Sequence, residues 1–105
     1  MTTEEIEQEI FAGSLFNDFK SKVEKCANKF EKEQKIALNS EIHLEDDWEV
    51  SNHKKIILLI NPKIDIFDKK MKVWKNLSDF LIPQIKSEIN FQEYIKRFFI
   101  KLKLN

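Results

Sequence analysis

Lys54-Lys55-Ile56-Ile57-Leu58-Leu59-Ile60-Asn61-Pro62-Lys63-Ile64-Asp65-Ile66-Phe67-Asp68 is the stretch on which the reading of this chain turns. The unbroken apolar run at residues 56–60 puts large side chains on both faces of an extended strand. A strand apolar on both faces belongs inside a layered domain, with material from the rest of the chain covering it. Asn61-Pro62 then stops or bends the strand, because Pro62 has no N–H to give to a ladder. Beyond it Ile64 and Ile66 alternate with Asp65 and suggest a short third strand.

Upstream, Ile42, Leu44, Trp48 and Val50 fall on even positions, while His43, Glu45, Asp47 and Glu49 fall on odd ones. That is the period of a strand with one wet face. Asp46 interrupts the apolar side, and a bulge or bend near Asp46-Asp47 would resolve the conflict. Ser51-Asn52-His53 is turn chemistry, so this strand and the apolar run form an antiparallel hairpin. Ile36-Ala37-Leu38 is a candidate fourth strand.

Helices flank this β region. Gly13-Ser14 breaks an N-terminal helical stretch carrying Ile6 and Ile10, and Ser14 is the expected N-cap of the next helix. There Leu15, Phe16, Phe19, Val23, Cys26, Ala27 and Phe30 recur mostly at spacings of three and four. This apolar stripe suits a helix laid on a sheet. Downstream, Met71, Trp74, Leu77, Phe80 and Leu81 make another helix, which Pro83 should bend or end. Asn90-Phe91-Gln92-Glu93 has the form of a capping box, and Phe91, Tyr94, Ile95, Phe98, Phe99 and Leu102 predict a final helix. The expected fold is α+β, one domain over residues 1–105. N-terminal helices precede a central antiparallel β-meander of three to four strands, and C-terminal helices pack on the sheet.

Composition narrows the function classes. The chain has 105 residues, 42% of them hydrophobic, with nine Phe and one Gly, which favours a compact core over a loop-rich or disordered scaffold. Eighteen basic residues balance 18 acidic ones, so net charge gives no global pull toward nucleic acid or an anionic membrane. All the basic residues but Arg97 are Lys, and Arg is the side chain best suited to bidentate phosphate and base contacts. No nucleic-acid or membrane partner is therefore expected. The acidic start, with Glu4, Glu5, Glu7 and Glu9, is unlike a signal peptide, and no apolar run approaches the roughly 18 residues of a membrane span. A cytoplasmic protein is expected.

Chemistry-bearing motifs are sparse. Cys26, the one cysteine, sits on the apolar stripe and reads as a buried structural thiol. His43 and His53 lack the spacing and companions of a zinc site, and one Gly cannot build a phosphate-binding loop. No metal or cofactor is expected. The order of elements is compatible with nuclease cores of the PD-(D/E)XK type. Asp46 or Asp47 would then pair with Asn61-Pro62-Lys63 around a magnesium ion, but Asn61 stands where that pattern has a carboxylate.

Charge, however, is segregated. Residues 41–49 carry Glu41, Glu45, Asp46, Asp47 and Glu49 with no Lys or Arg, whereas residues 69–75 carry Lys69, Lys70, Lys72 and Lys75. Either these are solvated faces that pair with one another, or the acidic strand meets a basic partner. A small protein without catalytic motifs and with an acidic strand suggests a stoichiometric inhibitor with no enzymatic activity. The expectation is an immunity protein or antitoxin whose acidic residues Glu41, Glu45, Asp46, Asp47 and Glu49 block a toxin with a basic surface, foremost a nuclease, whose cleft must suit a polyanion. The alternatives are the metal-dependent nuclease itself and a structural adaptor assembling through Phe-rich helices.

Overall fold

The computed structural model describes residues 10–46 and 54–103. Residues 10–12 are helical, and Gly13 separates them from helix α1 (Ser14–Gln34). The cap position is Gly13 in an extended conformation, not Ser14, and no side chain caps the helix. Phe16, Phe19, Val23, Cys26, Ala27 and Phe30 are buried, so the spacing of three and four does define the face that packs inward. The helix ends at Lys35, which adopts the left-handed conformation (φ 54°) and donates its N–H to the Glu31 carbonyl. The Glu31 carboxylate also accepts the Leu38 N–H at 3.0 Å. Glu31 thereby stops the helix and aims the fully buried Leu38 into the core. Residues 36–40 carry no strand, contrary to the sequence expectation. They are a connector, held where the Leu38 carbonyl accepts the Asn61 N–H at 2.7 Å.

Strand β1 (Glu41–Asp46) pairs antiparallel with β2 (Lys54–Ile60), with Ile42 opposite Leu58 and Leu44 opposite Ile56. The hairpin is as expected, and β2 is the central strand of three. Within the described part of β1 the register is unbroken, with Asp46 opposite Lys54 and ion-paired with it, while Asp47, the other position expected for a bulge or bend, lies outside the described residues. A cation directly across the ladder removes the conflict that a polar residue on that side would create. Asp47, Trp48, Glu49, Val50 and the expected turn lie outside the described residues.

The third strand is not where the alternation of Ile64 and Ile66 put it. Ile64 donates its N–H to the Pro62 carbonyl at 2.9 Å, closing a tight turn, and helix α2 begins at once (Phe67–Lys86). Pro83 lies inside this helix without ending it. Pro83 has no N–H to give to the carbonyl of Asp79 one turn back, and Asp79 is an exposed residue. After α2 come a 3-10 turn (Ile89–Phe91) and one short helical turn, α3 (Gln92–Ile95). The capping box does not form there, because Glu93 faces Arg97 and Lys96 instead of turning back to the 3-10 turn.

The chain then becomes strand β3 (Phe98–Leu102), which lies parallel to β2 with Leu58 opposite Ile100. The sheet is therefore mixed, in the order β1-β2-β3, and not an antiparallel meander. A parallel neighbour needs a long crossover, and α2 with the turns after it supplies one. The α+β class holds, with helices before and after the hairpin.

One core joins the helices to the sheet. It combines the stripe of α1 with Val73, Leu77, Leu81 and Ile85 of α2, Ile56, Leu58 and Ile60 of β2, and Phe98 and Ile100 of β3. Phe19 sits at its centre, with Phe91, Tyr94 and Phe98 rings at 5.2–5.5 Å. Phe16, Phe19, Phe30, Phe91 and Phe98 are buried, so most of the unusual Phe content builds this interior. That weakens an adaptor assembled through Phe-rich helices, since those side chains are already engaged within the chain.

Candidate binding surface

Strand alternation decides what β1 presents. Glu41, His43 and Glu45 share the sheet face turned away from the core. Ile42, Leu44 and Asp46 share the other face. Of the five acidic residues singled out from the sequence, the structure places Glu41 and Glu45 together on one face and Asp46 on the opposite one. Asp47 and Glu49 fall outside the described residues.

Each described carboxylate has a neighbour. Glu41 Oε2 lies 2.9 Å from His43 Nε2, and Glu45 Oε2 accepts from Lys101 Nζ at 3.1 Å. Asp46 pairs with Lys54. Lys101 is level with Leu59 and Glu45 with Lys55, so their ion pair runs diagonally from β3 to β1 across the middle of β2. Ile57 lies beneath that diagonal, flanked in register by His43 and Phe99. It is only 1% exposed although it points away from the core. The outer face of the sheet is thus closed over its central residue by long side chains whose charged tips reach water. Lys55 Nζ adds to this cover, lying 5.6 Å from the centre of the half-exposed Phe99 ring.

The two outer edges of the sheet differ. At β3 the Arg97 carbonyl and the Lys103 N–H bond to β2, so the alternate groups of the strand face outward. One of these is covered: the Trp74 indole of α2 donates to the Ile100 carbonyl at 2.6 Å. At β1 no described strand lies beyond the edge, and Leu44 there is 44% exposed.

The basic segment lies along α2. Lys69, Lys72 and Lys75 are exposed and Lys70 is half-buried. Among the described residues none of these lysines is ion-paired, so the basic helix start does not pair with the acidic strand. Ile66, Phe67 and Met71 stand exposed beside them, a patch the sequence reading missed. The signal was present in Phe67 and Met71, four residues apart on a helix, but the alternation of Ile64 and Ile66 had absorbed that segment into a strand.

Other candidates resolve structurally. Cys26 is 4% exposed at the contact of α1 with α2, and its Sγ lies 3.6 Å from Gln84 Oε1. Burial pushes its thiol up from the ordinary value, against the pull of Lys22 and Lys29. The nuclease constellation does not assemble around Asp46. That residue is level with the first residue of β2, whereas Asn61 and Lys63 follow the last. At about 3.3 Å per residue the two groups stand about 20 Å apart along the strand. Asn61 is engaged by its N–H to Leu38 and by its carbonyl, which accepts Asn39 Nδ2 at 3.1 Å. Among the described residues no three His, Cys, Asp or Glu side chains converge as metal ligands. Nor is any helix there long and apolar enough to cross a membrane.

No family model matches the chain, and no curated protein or solved structure matches it. The fold and the surface define a two-layer α+β protein with a three-stranded mixed sheet and an acidic strand at one edge.

Proposed function

We propose that this chain is a protein-binding inhibitor that works through strand β1. The specific reading is an immunity protein or antitoxin of the cytoplasm that neutralises a basic toxin, foremost a nuclease, without chemistry of its own. The observation that carries it is the set of exposed carboxylates Glu41, Glu45 and Asp46 on a strand at the edge of the sheet, beyond which no other described strand lies.

Three physical arguments support this reading. A strand anchored to the central strand of a sheet holds its charges rigidly, so little order has to be created on binding. The ion pairs that position these carboxylates are solvent-exposed, with side-chain exposures of 49% at Glu45 and 83% at Asp46. Exposed pairs of this kind contribute about 0–1 kcal/mol, so cations of a partner can replace Lys101 and Lys54 at little cost. An edge strand also offers main-chain groups to an incoming segment, and the acidic side chains select one that is basic.

The test is an inhibition titration. The purified protein is titrated into basic nuclease toxins sought among the genes beside its own, and nucleic-acid cleavage is followed. Activity should fall linearly to zero at one equivalent. Undiminished cleavage at a large excess of this chain would refute the inhibitor reading.

A further inference from the structure

Helix α2 starts clear of the core. None of its residues from Phe67 to Lys72 is buried, and Val73 is the first that is. At 1.5 Å per residue, about 9 Å of helix thus carries no buried side chain. Yet this end is not polar. Phe67, and Ile66 just before it, are each 54% exposed, and Met71 is 38% exposed. Between residues 63 and 75 five lysines stand against two aspartates, Asp65 and Asp68. Lys70 follows Phe67 by three residues and Lys75 follows Met71 by four, so each of these apolar side chains has a lysine beside it on the helix surface. None of the five lysines forms an ion pair with a described residue.

We infer that this end of α2 docks on the surface of an anionic lipid bilayer, with Ile66, Phe67 and Met71 entering the headgroup boundary. Apolar side chains fringed by lysines are the composition of a helix that lies on a membrane surface. The stem of a lysine is apolar and its tip charged, so the tips stay among the headgroups while the stems follow the apolar residues inward. A lysine attracts as a flexible point charge, which suits a fluid array of headgroups. A nucleic acid or a carboxylate-rich protein is better matched by the fixed fork of arginine. Arg97, the one arginine, is 5% exposed and bonded within the fold to Glu93. The even charge of the whole chain does not oppose the attraction, because it is set within a Debye length by the lysines nearest the surface. The contact is peripheral, and no described helix is long and apolar enough to cross a membrane. It rests on α2 and not on β1, so it stands apart from the inhibitor reading.

The experiment is co-sedimentation with vesicles of pure phosphatidylcholine and of a phosphatidylcholine–phosphatidylserine mixture, at low and high salt. It uses the wild-type chain and two variants, Phe67→Ser/Met71→Ser and Lys69→Gln/Lys75→Gln. All four side chains are exposed. Circular dichroism checks that both variants are folded, and the single changes Phe67→Ser and Lys75→Gln serve if either is not. Wild type should pellet with the mixed vesicles at low salt, bind them less at high salt, and stay in solution with pure phosphatidylcholine. Each double variant should bind the mixed vesicles more weakly, by about tenfold or more. Wild type that stays in solution with the mixed vesicles would overturn the inference and leave an acidic protein as the occupant of this end. Equal binding to both kinds of vesicle, or folded variants that bind as wild type does, would overturn it as well.

Discussion

Tyr94 shows how a single residue ties the α layers together. Its hydroxyl donates to the Ile10 carbonyl at 2.7 Å, and its ring lies 5.2 Å from Phe19 and 5.5 Å from Phe16. Burial raises the Tyr94 pKa above 10.0, with Arg97 pulling the other way, and burial likewise raises that of Cys26 above 9.0. In each case the folded chain holds its proton at a pH where the unfolded chain has released it. The stability these groups contribute is therefore complete below about pH 9 and is lost as pH rises through that value and beyond 10. Denaturant midpoints measured across this window should fall. Tyr94→Phe should flatten the upper part of the decline and cost about 0.5–1.5 kcal/mol at neutral pH, the worth of one hydrogen bond. Cys26 should resist a thiol reagent in native buffer and react on unfolding, because the reactive thiolate is disfavoured and enclosed. Rapid native labelling would contradict its place between α1 and α2. Its burial was legible in the sequence from its spacing to Val23 and Phe30 on one helical face.

At the scale of the element, β2 and α1 were readable because their patterns admit one interpretation: an apolar run too short for a helix, and a long stripe at spacings of three and four. β3 was not. Tyr94, Phe98 and Leu102 fit a helical face, while Phe98, Ile100 and Leu102 fit a strand face equally well. Local pattern cannot choose between them, and pairing with β2 decides. The exposures follow the strand: Phe98 is 6% exposed, Phe99 46% and Ile100 8%. Truncation should follow the same alternation. Ile100→Ala should cost about 2–5 kcal/mol by denaturant titration, with Lys101→Ala within about 1 kcal/mol of wild type. Comparable losses at both positions would argue for a helix there. Leu58→Ala, on the core face of the central strand, should also cost about 2–5 kcal/mol. A loss under about 0.5 kcal/mol, typical of a surface site, would contradict that placement.

Across the whole molecule, zero net charge conceals an acidic strand, β1, and a basic start of α2. The sequence showed the segregation and set Asp46 on the apolar side, apart from Glu45. The structure keeps that division, with Asp46 in register opposite Lys54. The sequence did not show that Glu45 reaches across to Lys101, since β3 itself was hidden. The central functional claim is that Glu41 and Glu45 steer a basic partner onto β1. Both are exposed and lie outside the core, so Glu41→Lys/Glu45→Lys should unfold near wild type. Long-range attraction accelerates association and is screened over about 10 Å at 0.1 M salt. The deciding measurement is stopped-flow association with a nuclease that the chain inhibits in titration, at two salt concentrations, for wild type and the folded double variant. Wild type should associate faster at low salt, and the variant should associate more slowly and lose that acceleration; equal on-rates and equal salt dependence would show that the partner docks on another surface.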